Sequence, residues 1–260
     1  MKVVLFCGGQ GMRMREYSDV IPKPMVQIGY RPILWHLMKY YAHYGHKEFI
    51  LCLGYRGDTI KNYFLNYDEC VSNDFVLTGG GRNVQLISKD IDDWKITFVD
   101  TGLSSNVGQR LLRVRKYVQD DEMFLANYAD GLTDLPFSTL QDYFLKSNKV
   151  ACFLGVRPLA SYHLVSLGQD GVVTDITSTA LSSSRINGGF FLLRNRIFDY
   201  IKEGEELVEA PFRRLIQEGE LTAYPYDGFW ACMDTFKEKQ ALDELYTKGL
   251  APWEVWKRKD

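Results

Sequence analysis

The sequence predicts an α/β fold, with a mostly parallel, mixed sheet that carries helices on both faces and a smaller β-rich region after it. Three observations support this prediction. Apolar segments alternate with amphipathic segments over the first 155 residues, and a glycine-rich loop follows the first apolar segment. After residue 160 the alternation ends and turn-rich, strand-like segments begin. Such alternation is typical of parallel sheets, because parallel strands need crossover connections that are usually helical.

The alternating part begins with residues 2–7, KVVLFC, a continuous apolar run that is typical of a buried strand. Residues 31–45 are predicted to form a helix, because Pro32 stands at the start, apolar residues recur at helical spacing and Gly45 stands at the end. The same patterns predict strands at 48–54, 95–102, 122–131 and 150–156, and helices at 57–67, 107–118 and 136–147.

The last third of the chain is less regular. Residues 163–176 are predicted to form a hairpin around the turn Gln-Asp-Gly. Residues 220–228 are typical of an edge strand, because Pro225 has no N–H to donate to a neighbouring strand. A strand is also predicted at 186–193, and helices at 211–218 and 236–249. No repeat or linker divides the chain, so we expect one domain over 1–260.

The composition excludes several classes of protein. Apolar residues make up 46% of the 260 positions and charged residues 25%, which is typical of a soluble globular protein. The net charge of −2 argues against a nucleic-acid partner, and no apolar run approaches the roughly 20 residues that span a bilayer. The five cysteines are odd in number and form no CxxC, which favours free thiols in a reducing compartment. We therefore expect a cytoplasmic protein without a membrane partner.

A glycine-rich loop lies just beyond the first strand, in VVLFCGGQGMRM at 3–14. In an open α/β sheet, ligands bind outside the carboxyl ends of the strands. Gly8, Gly9 and Gly11 would let backbone N–H groups approach an anion closely. A dinucleotide fingerprint would need glycine at the position of Met14, and a P-loop would need G-K-[ST], which is absent. A plain strand-to-helix turn remains an alternative.

Two cations follow this loop. Arg13 comes directly after it, and Lys23 stands between Pro22 and Pro24. A pair of unit charges 4 Å apart is worth about 4 kcal/mol at an effective dielectric of 20, so two cations would hold a polyphosphate well. Surface cations on a long loop are the alternative interpretation.

Two aspartates follow strand-like segments in distant parts of the chain. Asp130 lies in the segment NYADG at 127–131, and Asp234 follows the apolar and aromatic run in FWACMDT at 229–235. A buried carboxylate needs a partner or a metal, and Mg²⁺ typically takes one or two carboxylates together with phosphates and waters. Each aspartate alone also fits a turn or a helix cap, but the pair favours a nucleotide and Mg²⁺ site. His36 and His43 share a helix face without a further ligand, which favours a structural role over zinc.

Taken together, these segments resemble the sugar nucleotidyltransferase family, and within it the glucose-1-phosphate cytidylyltransferases. The resemblance is carried, in the family's order, by CGGQGMRM, IPKPMVQIGYRPILWHLMKYYAHYG, FVDTGLSSNVGQRLLRV, YADG, INGGFFLL, FWACMDT and GLAPWEVW. The G-G-x-G-x-R and P-K-P-M segments are specific to the wider family. The D-T-G segment, the Gln-Arg pair and the A-P-W ending point to the cytidylyl branch.

The resemblance implies a Rossmann-like nucleotidyltransferase that moves CMP from CTP to a phosphorylated acceptor. The family default acceptor is α-D-glucose 1-phosphate, which gives CDP-glucose and pyrophosphate. Residues 1–158 would form the nucleotide-binding half and residues 159–260 the acceptor-binding and C-terminal region. By family analogy the enzyme would also form a homo-oligomer and serve polysaccharide biosynthesis.

The resemblance also implies roles for individual residues. Catalysis would use Arg13, Lys23 and Asp130, and the metal ligands for Mg²⁺ would be Asp130 and Asp234. The nucleotide would contact Gly8, Gly9, Gly11, Arg13, Gly108, Arg110 and Asp130, with Arg110 donating to cytosine O2. The acceptor would contact Lys23, Arg185 and Asn187.

The sequence departs from the family pattern in three places, one of which is the stretch 161–168, where bulky residues replace a glycine that lies close to the sugar in the family. Met12 replaces a threonine of the glycine loop. The stretch 175–189 contains no Lys and no Glu where the family has an E-K-P segment, and Arg185 is its only cation. Three alternatives therefore stay open: a CTP-dependent enzyme acting on another sugar 1-phosphate or a non-sugar phosphate, a nucleotide-binding relative without turnover, and a dinucleotide-dependent oxidoreductase.

Overall fold

The computed structural model describes residues 1–9, 21–158, 163–178 and 184–258. The strands are β1 (Lys2–Phe6), β2 (Gln27–Ile28), β3 (Arg31–Pro32), β4 (Glu48–Leu53), β5 (Phe75–Thr78), β6 (Asn83–Leu86), β7 (Lys95–Asp100), β8 (Met123–Asn127), β9 (Gly131–Thr133), β10 (Ala151–Val156), β11 (His163–Leu167), β12 (Val173–Ser178), β13 (Ile186–Arg194), β14 (Leu221–Tyr226) and β15 (Trp230–Cys232).

The α-helices are α1 (Ile33–His43), α2 (Gly57–Leu65), α3 (Val107–Val118), α4 (Phe137–Ser147), α5 (Ala210–Gln217) and α6 (Phe236–Thr247). Short 3₁₀ turns cover Lys23–Met25, Glu69–Val71, Asn195–Asp199 and Val255–Lys257.

Seven strands form the central sheet, in the order β14-β10-β13-β8-β1-β4-β7. Strand β13 runs antiparallel to both of its neighbours, β8 and β10, whereas the other neighbouring strands are parallel. The predicted mixed, mostly parallel sheet is therefore confirmed. The carboxyl ends of β1, β4, β7, β8, β10 and β14 lie at one edge of this sheet, and β13 starts there.

The alternation of side chains along β1 shows that both faces of the sheet are covered. Val3 and Leu5 belong to a buried cluster that also contains apolar residues of α1, α2 and α4. Val4 and Phe6 belong to a second buried cluster with residues of α3 and α5. Because successive side chains of a strand point to opposite faces, these two clusters place helices on both faces, as the sequence predicts.

Some local predictions need correction. The helix predicted from residue 31 begins at Ile33, because Arg31–Pro32 pairs with Gln27–Ile28 as a short hairpin. The sequence does not predict the β5–β6 hairpin, since its strands are only four residues long and almost wholly exposed. The hairpin predicted over 163–176 is confirmed as β11 and β12. The edge position predicted from Pro225 is also confirmed, because β14 pairs only with β10 in the sheet.

The structure also bears on the cysteines and on membrane insertion. All five cysteines are free thiols, and Cys7, Cys52 and Cys152 are buried. Among the residues that the structure describes, no helix has the length and apolar character needed to cross a bilayer.

Candidate active site

Two short strands bring Asp130 and Asp234 together. Strand β9 starts directly after Asp130, and β15 ends two residues before Asp234. The two strands pair in antiparallel fashion, with Gly131 opposite Cys232, and the Met233 N–H donates to the Asp130 carbonyl at 3.0 Å. Two carboxylates from distant parts of the chain therefore become neighbours.

Lys23 joins the two carboxylates. Its ammonium group donates to Asp130 Oδ2 at 2.5 Å and also to Asp234 Oδ1. The three side chains are only 14%, 23% and 33% exposed, in the order Lys23, Asp130, Asp234. We call these three residues the carboxylate–lysine cluster.

The backbone around Lys23 is held by its two prolines. Pro22 is extended, with φ −64° and ψ 144°, and its carbonyl accepts a hydrogen bond from the Met25 N–H at 2.8 Å. Pro24 and Met25 are buried in the core. Because proline fixes φ near −65°, this turn holds the lysine backbone in place and leaves its long side chain as the mobile part.

The backbone around Asp130 is also held by specific contacts. Ala129 is buried and has φ 63°, a left-handed conformation that costs a residue with a Cβ about 1–2 kcal/mol. Asn127 Oδ1 accepts a hydrogen bond from the Ala129 N–H at 3.0 Å, and Asn127 Nδ2 donates to the Tyr41 hydroxyl. The strained residue before Asp130 is thus stabilised by a buried side chain.

Asp234 is held by the start of α6. The Glu238 carboxylate accepts hydrogen bonds from the backbone N–H of Asp234 and of Thr235, and the Thr235 hydroxyl accepts from the Glu238 N–H. This is a capping box, which fixes the first turn of a helix. Sequence reasoning missed Glu238, although the T-x-x-E spacing before an amphipathic helix could have revealed it.

The electrostatics of the cluster follow from burial and from the two negative charges. Burial alone favours neutral Lys23, but Asp130 and Asp234 outweigh it, so the pKa of Lys23 is raised. Burial also raises the pKa of Asp130; Lys23 opposes this effect in part, whereas repulsion from Asp234 adds to it. The protonated lysine therefore carries a charge that the two carboxylates need.

The cluster fits a divalent cation of the magnesium type. The Lys23 ammonium is a positive group on which one oxygen from each aspartate converges, so it marks a point that both carboxylates reach. Within the described part of the chain, no group of three or more His, Cys, Asp or Glu side chains is arranged to hold a metal. An ion held by these two carboxylates would take its other ligands from substrate phosphates and water, which Mg²⁺ commonly does.

Arg110 lies against the Gly8 backbone, two residues beyond the end of β1. Its side chain is 4% exposed and donates to the Gly8 carbonyl at 2.9 Å, to the Leu53 carbonyl at 3.1 Å and to Thr101 Oγ1 at 2.7 Å. These acceptors lie at or just beyond the carboxyl ends of β1, β4 and β7. A Cβ on Gly8 or Gly54 would approach Arg110 Nη1 within 2.1 or 2.8 Å, so the two glycines leave room for the guanidinium.

The other residues of the predicted nucleotide site differ in their surroundings. Gly9 is exposed, and a Cβ built on it meets nothing within 4 Å. Gly108 is buried in the first turn of α3, and a Cβ there would lie 2.2 Å from the Glu205 carbonyl oxygen. Gly11 and Arg13 lie outside the described residues, so their roles stay predictions.

The three residues predicted to bind the acceptor make hydrogen bonds with different parts of the chain. Asn187, in β13, donates to the Tyr128 hydroxyl at 3.2 Å and so contacts the segment that leads to Asp130. Arg185 donates to the carbonyls of Gly155 and Tyr226 and to both carboxylate oxygens of Asp227 at 3.0 and 3.1 Å. Lys23, the third predicted acceptor residue, is in the carboxylate–lysine cluster.

Comparisons with known proteins agree with the resemblance predicted from the sequence. The family model described as "Nucleotidyl transferase" matches residues 2–237. A relative from Bacillus subtilis named "Probable glucose-1-phosphate cytidylyltransferase" is 38% identical over 258 residues, which cover 98% of this chain and all of the relative. A relative from Salmonella typhimurium named "Glucose-1-phosphate cytidylyltransferase" is 40% identical over 257 residues, with the same coverage.

Solved structures agree at the level of the fold. HddC from Yersinia pseudotuberculosis superposes with a TM-score of 0.67 at 20% identity, over 94% of this chain and 99% of that one. A UDP-glucose pyrophosphorylase, solved with UDP-glucose, superposes with a TM-score of 0.68 at 16% identity, over 95% and 98% of the two chains. With a family model spanning most of its length and curated relatives matching it from end to end, the chain belongs to the nucleotidyl transferase family of enzymes.

Proposed function

We propose that the enzyme transfers CMP from CTP to α-D-glucose 1-phosphate, which gives CDP-glucose and pyrophosphate. The observation that carries the proposal is the similarity to relatives named glucose-1-phosphate cytidylyltransferase, at 38–40% identity over 98% of the chain. The carboxylate–lysine cluster supports it, because its two carboxylates could hold a divalent ion and its ammonium could contact phosphate, and phosphoryl chemistry needs positive charge close to the reacting phosphates.

The proposed reaction is a direct displacement at phosphorus. A phosphate oxygen of the acceptor forms a bond to the α-phosphorus of CTP. The bond from that phosphorus to the bridging oxygen of the β-phosphate breaks, and its electron pair leaves with pyrophosphate. No enzyme nucleophile is needed, so the protein accelerates the reaction by placing two anions together and by neutralising the charge that develops.

In this proposal each part of the site has one task. Asp130 and Asp234 hold Mg²⁺, which supplies charge neutralisation and orientation for the phosphates. Lys23 contacts phosphates near the reacting centre, and the Gly8 and Gly9 backbone lies against the nucleotide. Gly11 and Arg13 contribute to phosphate binding by family resemblance.

Arg110 is proposed to recognise the base with the N–H groups that make no hydrogen bond within the described part of the chain. Its hydrogen bonds within the described part of the chain take three of its five N–H groups. The Nε–H and one Nη2 proton remain for cytosine O2. Gly108 stands half a turn away in α3, where the absence of a side chain lets the helix approach the 205 segment.

A different acceptor is the second candidate, and Arg185 is the observation that favours it. The stretch 175–189 lacks the family's lysine and glutamate, and the guanidinium of Arg185 already pairs with Asp227. Release of Arg185 for an acceptor phosphate would require that ion pair to break. Another sugar 1-phosphate or a non-sugar phosphate is therefore the alternative to glucose 1-phosphate.

Pyrophosphate release tests the function directly. We would supply each of the four common ribonucleoside triphosphates with Mg²⁺ and a panel of sugar 1-phosphates and non-sugar phosphates. The proposal expects release with CTP and glucose 1-phosphate above all other pairs. Release with CTP and another acceptor would select the second candidate, and release with UTP or GTP in preference to CTP would refute both.

Three further properties are proposed from family resemblance alone. We propose a cytoplasmic enzyme that forms a homo-oligomer and supplies a sugar nucleotide for polysaccharide biosynthesis. Light scattering on the eluting protein measures the assembly, and a mass equal to the 30.0 kDa chain would contradict it.

A further inference from the structure

We propose that Lys23 is an exchangeable counter-ion, which holds the carboxylates of Asp130 and Asp234 until a divalent ion bound to the nucleotide replaces it. The inference rests on the proposed function, because it describes how substrate enters the same site. It assigns Lys23 a task before the reaction, in addition to phosphate contact during it.

The geometry of the carboxylate–lysine cluster requires an exchange for any ion that binds the same two carboxylate oxygens as the ammonium. The ammonium group uses Asp130 Oδ2 and Asp234 Oδ1, one oxygen from each carboxylate. A divalent ion that bound both of these oxygens would need the position at which the ammonium lies. Two cations repel strongly at such short range, so the ammonium must leave when the ion arrives.

The two prolines beside Lys23 fix the backbone of this turn, but the lysine side chain can still change its conformation. Pro22 and Pro24 fix the turn, and Pro24 is buried. The four-carbon stem of lysine carries the charge on rotatable bonds, so the ammonium can swing without a change of fold. The side chain is 14% exposed and therefore reaches solvent at the open edge of the sheet.

Charge decides when the exchange is favourable. The cluster has two negative carboxylates and one positive ammonium, so it already satisfies much of its need for positive charge. Metal alone would expel the ammonium into water and would gain little. A triphosphate that arrives with the metal gives the ammonium a new anionic partner, so metal and nucleotide should bind with strong positive coupling.

This argument predicts opposite effects of a Lys23 substitution on two measured quantities. Loss of the ammonium should tighten the binding of metal alone, because the ammonium then no longer competes for the carboxylates. It should also reduce the factor by which CTP tightens metal binding, because the coupling between metal and nucleotide is carried by the exchange. A lysine that served only to contact phosphate would leave the binding of metal alone unchanged.

The test is a titration with Mn²⁺, in which electron paramagnetic resonance measures the free ion, with and without CTP and with no acceptor. We expect Lys23→Met and Lys23→Gln to bind Mn²⁺ alone at least about ten- to a hundredfold more tightly than the wild type, which corresponds to one of the two charge-assisted hydrogen bonds that the ammonium makes. Lys239→Met is the matched control, because Lys239 is a half-buried lysine that pairs with Asp243 within α6. This control should bind Mn²⁺ as the wild type does.

Several outcomes would overturn the inference. Mn²⁺ affinities of the Lys23 variants equal to or weaker than that of the wild type would do so, and so would a wild-type affinity that CTP does not change. If neither variant folds, ¹³C-labelled lysine in the wild type provides the measurement: Mg²⁺ with CTP must shift one ε-carbon resonance that the same Mg²⁺ alone does not shift. The titration of metal alone is independent of turnover, so a failure of the proposed function would not be mistaken for a failure of this exchange.

Discussion

Substitution of Arg110 by alanine separates a structural role from a role in reading the base. The guanidinium connects the ends of three parallel strands through Gly8, Leu53 and Thr101 while it is almost wholly buried. An alanine would leave these acceptors facing a cavity. A residue that only contacted the base would instead leave the stability of the protein unchanged.

The magnitude follows from the acceptors that lose a donor. A buried acceptor left without its partner costs about 1–3 kcal/mol. The Leu53 carbonyl also accepts from the Thr101 N–H and hydroxyl, and the Gly8 carbonyl accepts from the Tyr55 N–H at 3.4 Å, so each loss falls near the lower limit. With the lost packing of the side chain, we expect Arg110→Ala to lower the free energy of unfolding by about 3–5 kcal/mol, a large part of the 5–15 kcal/mol of a typical domain.

Urea unfolding, followed by circular dichroism, measures this change. Arg113→Ala is the control, because Arg113 lies one turn along α3, is exposed and donates to the Thr101 carbonyl. We expect it to cost less than about 1 kcal/mol. A third variant, Arg110→Lys, tests base recognition: the ratio of its kcat/KM for CTP to its kcat/KM for UTP should be lower than in the wild type if the remaining N–H groups contact the base. A loss of stability below about 1 kcal/mol in Arg110→Ala would refute the structural reasoning.

Three other predictions concern the metal ligand, the glycine loop and acid stability. Asp130→Asn should abolish pyrophosphate release while melting near the wild-type temperature, because the amide keeps the shape but not the charge. Gly8→Ala should destabilise the protein in urea by about 1–3 kcal/mol, since its Cβ would overlap Arg110, whereas Gly9→Ala should leave stability unchanged and weaken CTP binding. Burial lowers the pKa of His36 to about 4, so the unfolded chain binds more protons between about pH 6.5 and 4. As the pH is lowered from about 6.5 to 4, the free energy of unfolding should therefore decrease, and His36 should contribute up to about 3 kcal/mol of this loss.

Controls and contrary results differ for each of these predictions. Asp120→Asn, at an exposed position after α3, should keep full turnover, and an active Asp130→Asn would remove the metal assignment. Equal stability of Gly8→Ala and the wild type would contradict the close approach of Arg110. His43→Gln, on the exposed side of α1, should keep the acid loss, whereas His36→Gln should reduce it. If both variants show the wild-type slope, the loss arises elsewhere.

The sequence predicts which residues belong to the active site, but it does not predict that Asp130 and Asp234 lie next to each other. Asp130 and Asp234 could be placed beyond strand-like segments, because ligands bind at the carboxyl edge of such sheets. Their pairing depends on β9 and β15, which are three residues each and far apart in sequence. Strands this short carry no measurable alternation of apolar and polar residues, so no pattern could reveal that they pair.

Arg110 illustrates a second limit of sequence reasoning. Its spacing from Val107 and Val114 places it on the apolar face of an amphipathic helix, but an arginine is normally expected to extend from such a face to solvent. The structure buries it because Gly8 and Gly54, at the ends of two other strands, have no side chains to exclude it. Burial of this arginine is thus a property of three segments together, and no window along the chain contains all three.

The ion pairs that Arg185 and Lys23 make at the carboxyl edge of the sheet imply an order of substrate binding. Arg185 is paired with Asp227, and hydrogen bonds from Arg157 and Arg185 lower the pKa of that carboxyl, so this pair is already satisfied. Lys23, the predicted acceptor cation within the carboxylate–lysine cluster, becomes available only when metal and nucleotide have taken over the carboxylates of Asp130 and Asp234. We expect CTP to bind first and the acceptor second, so isothermal titration should detect glucose 1-phosphate binding only when Mg²⁺ and an unreactive CTP analogue are present. Equal affinity for the acceptor without nucleotide would contradict this order. It would place the acceptor phosphate on a cation other than Lys23.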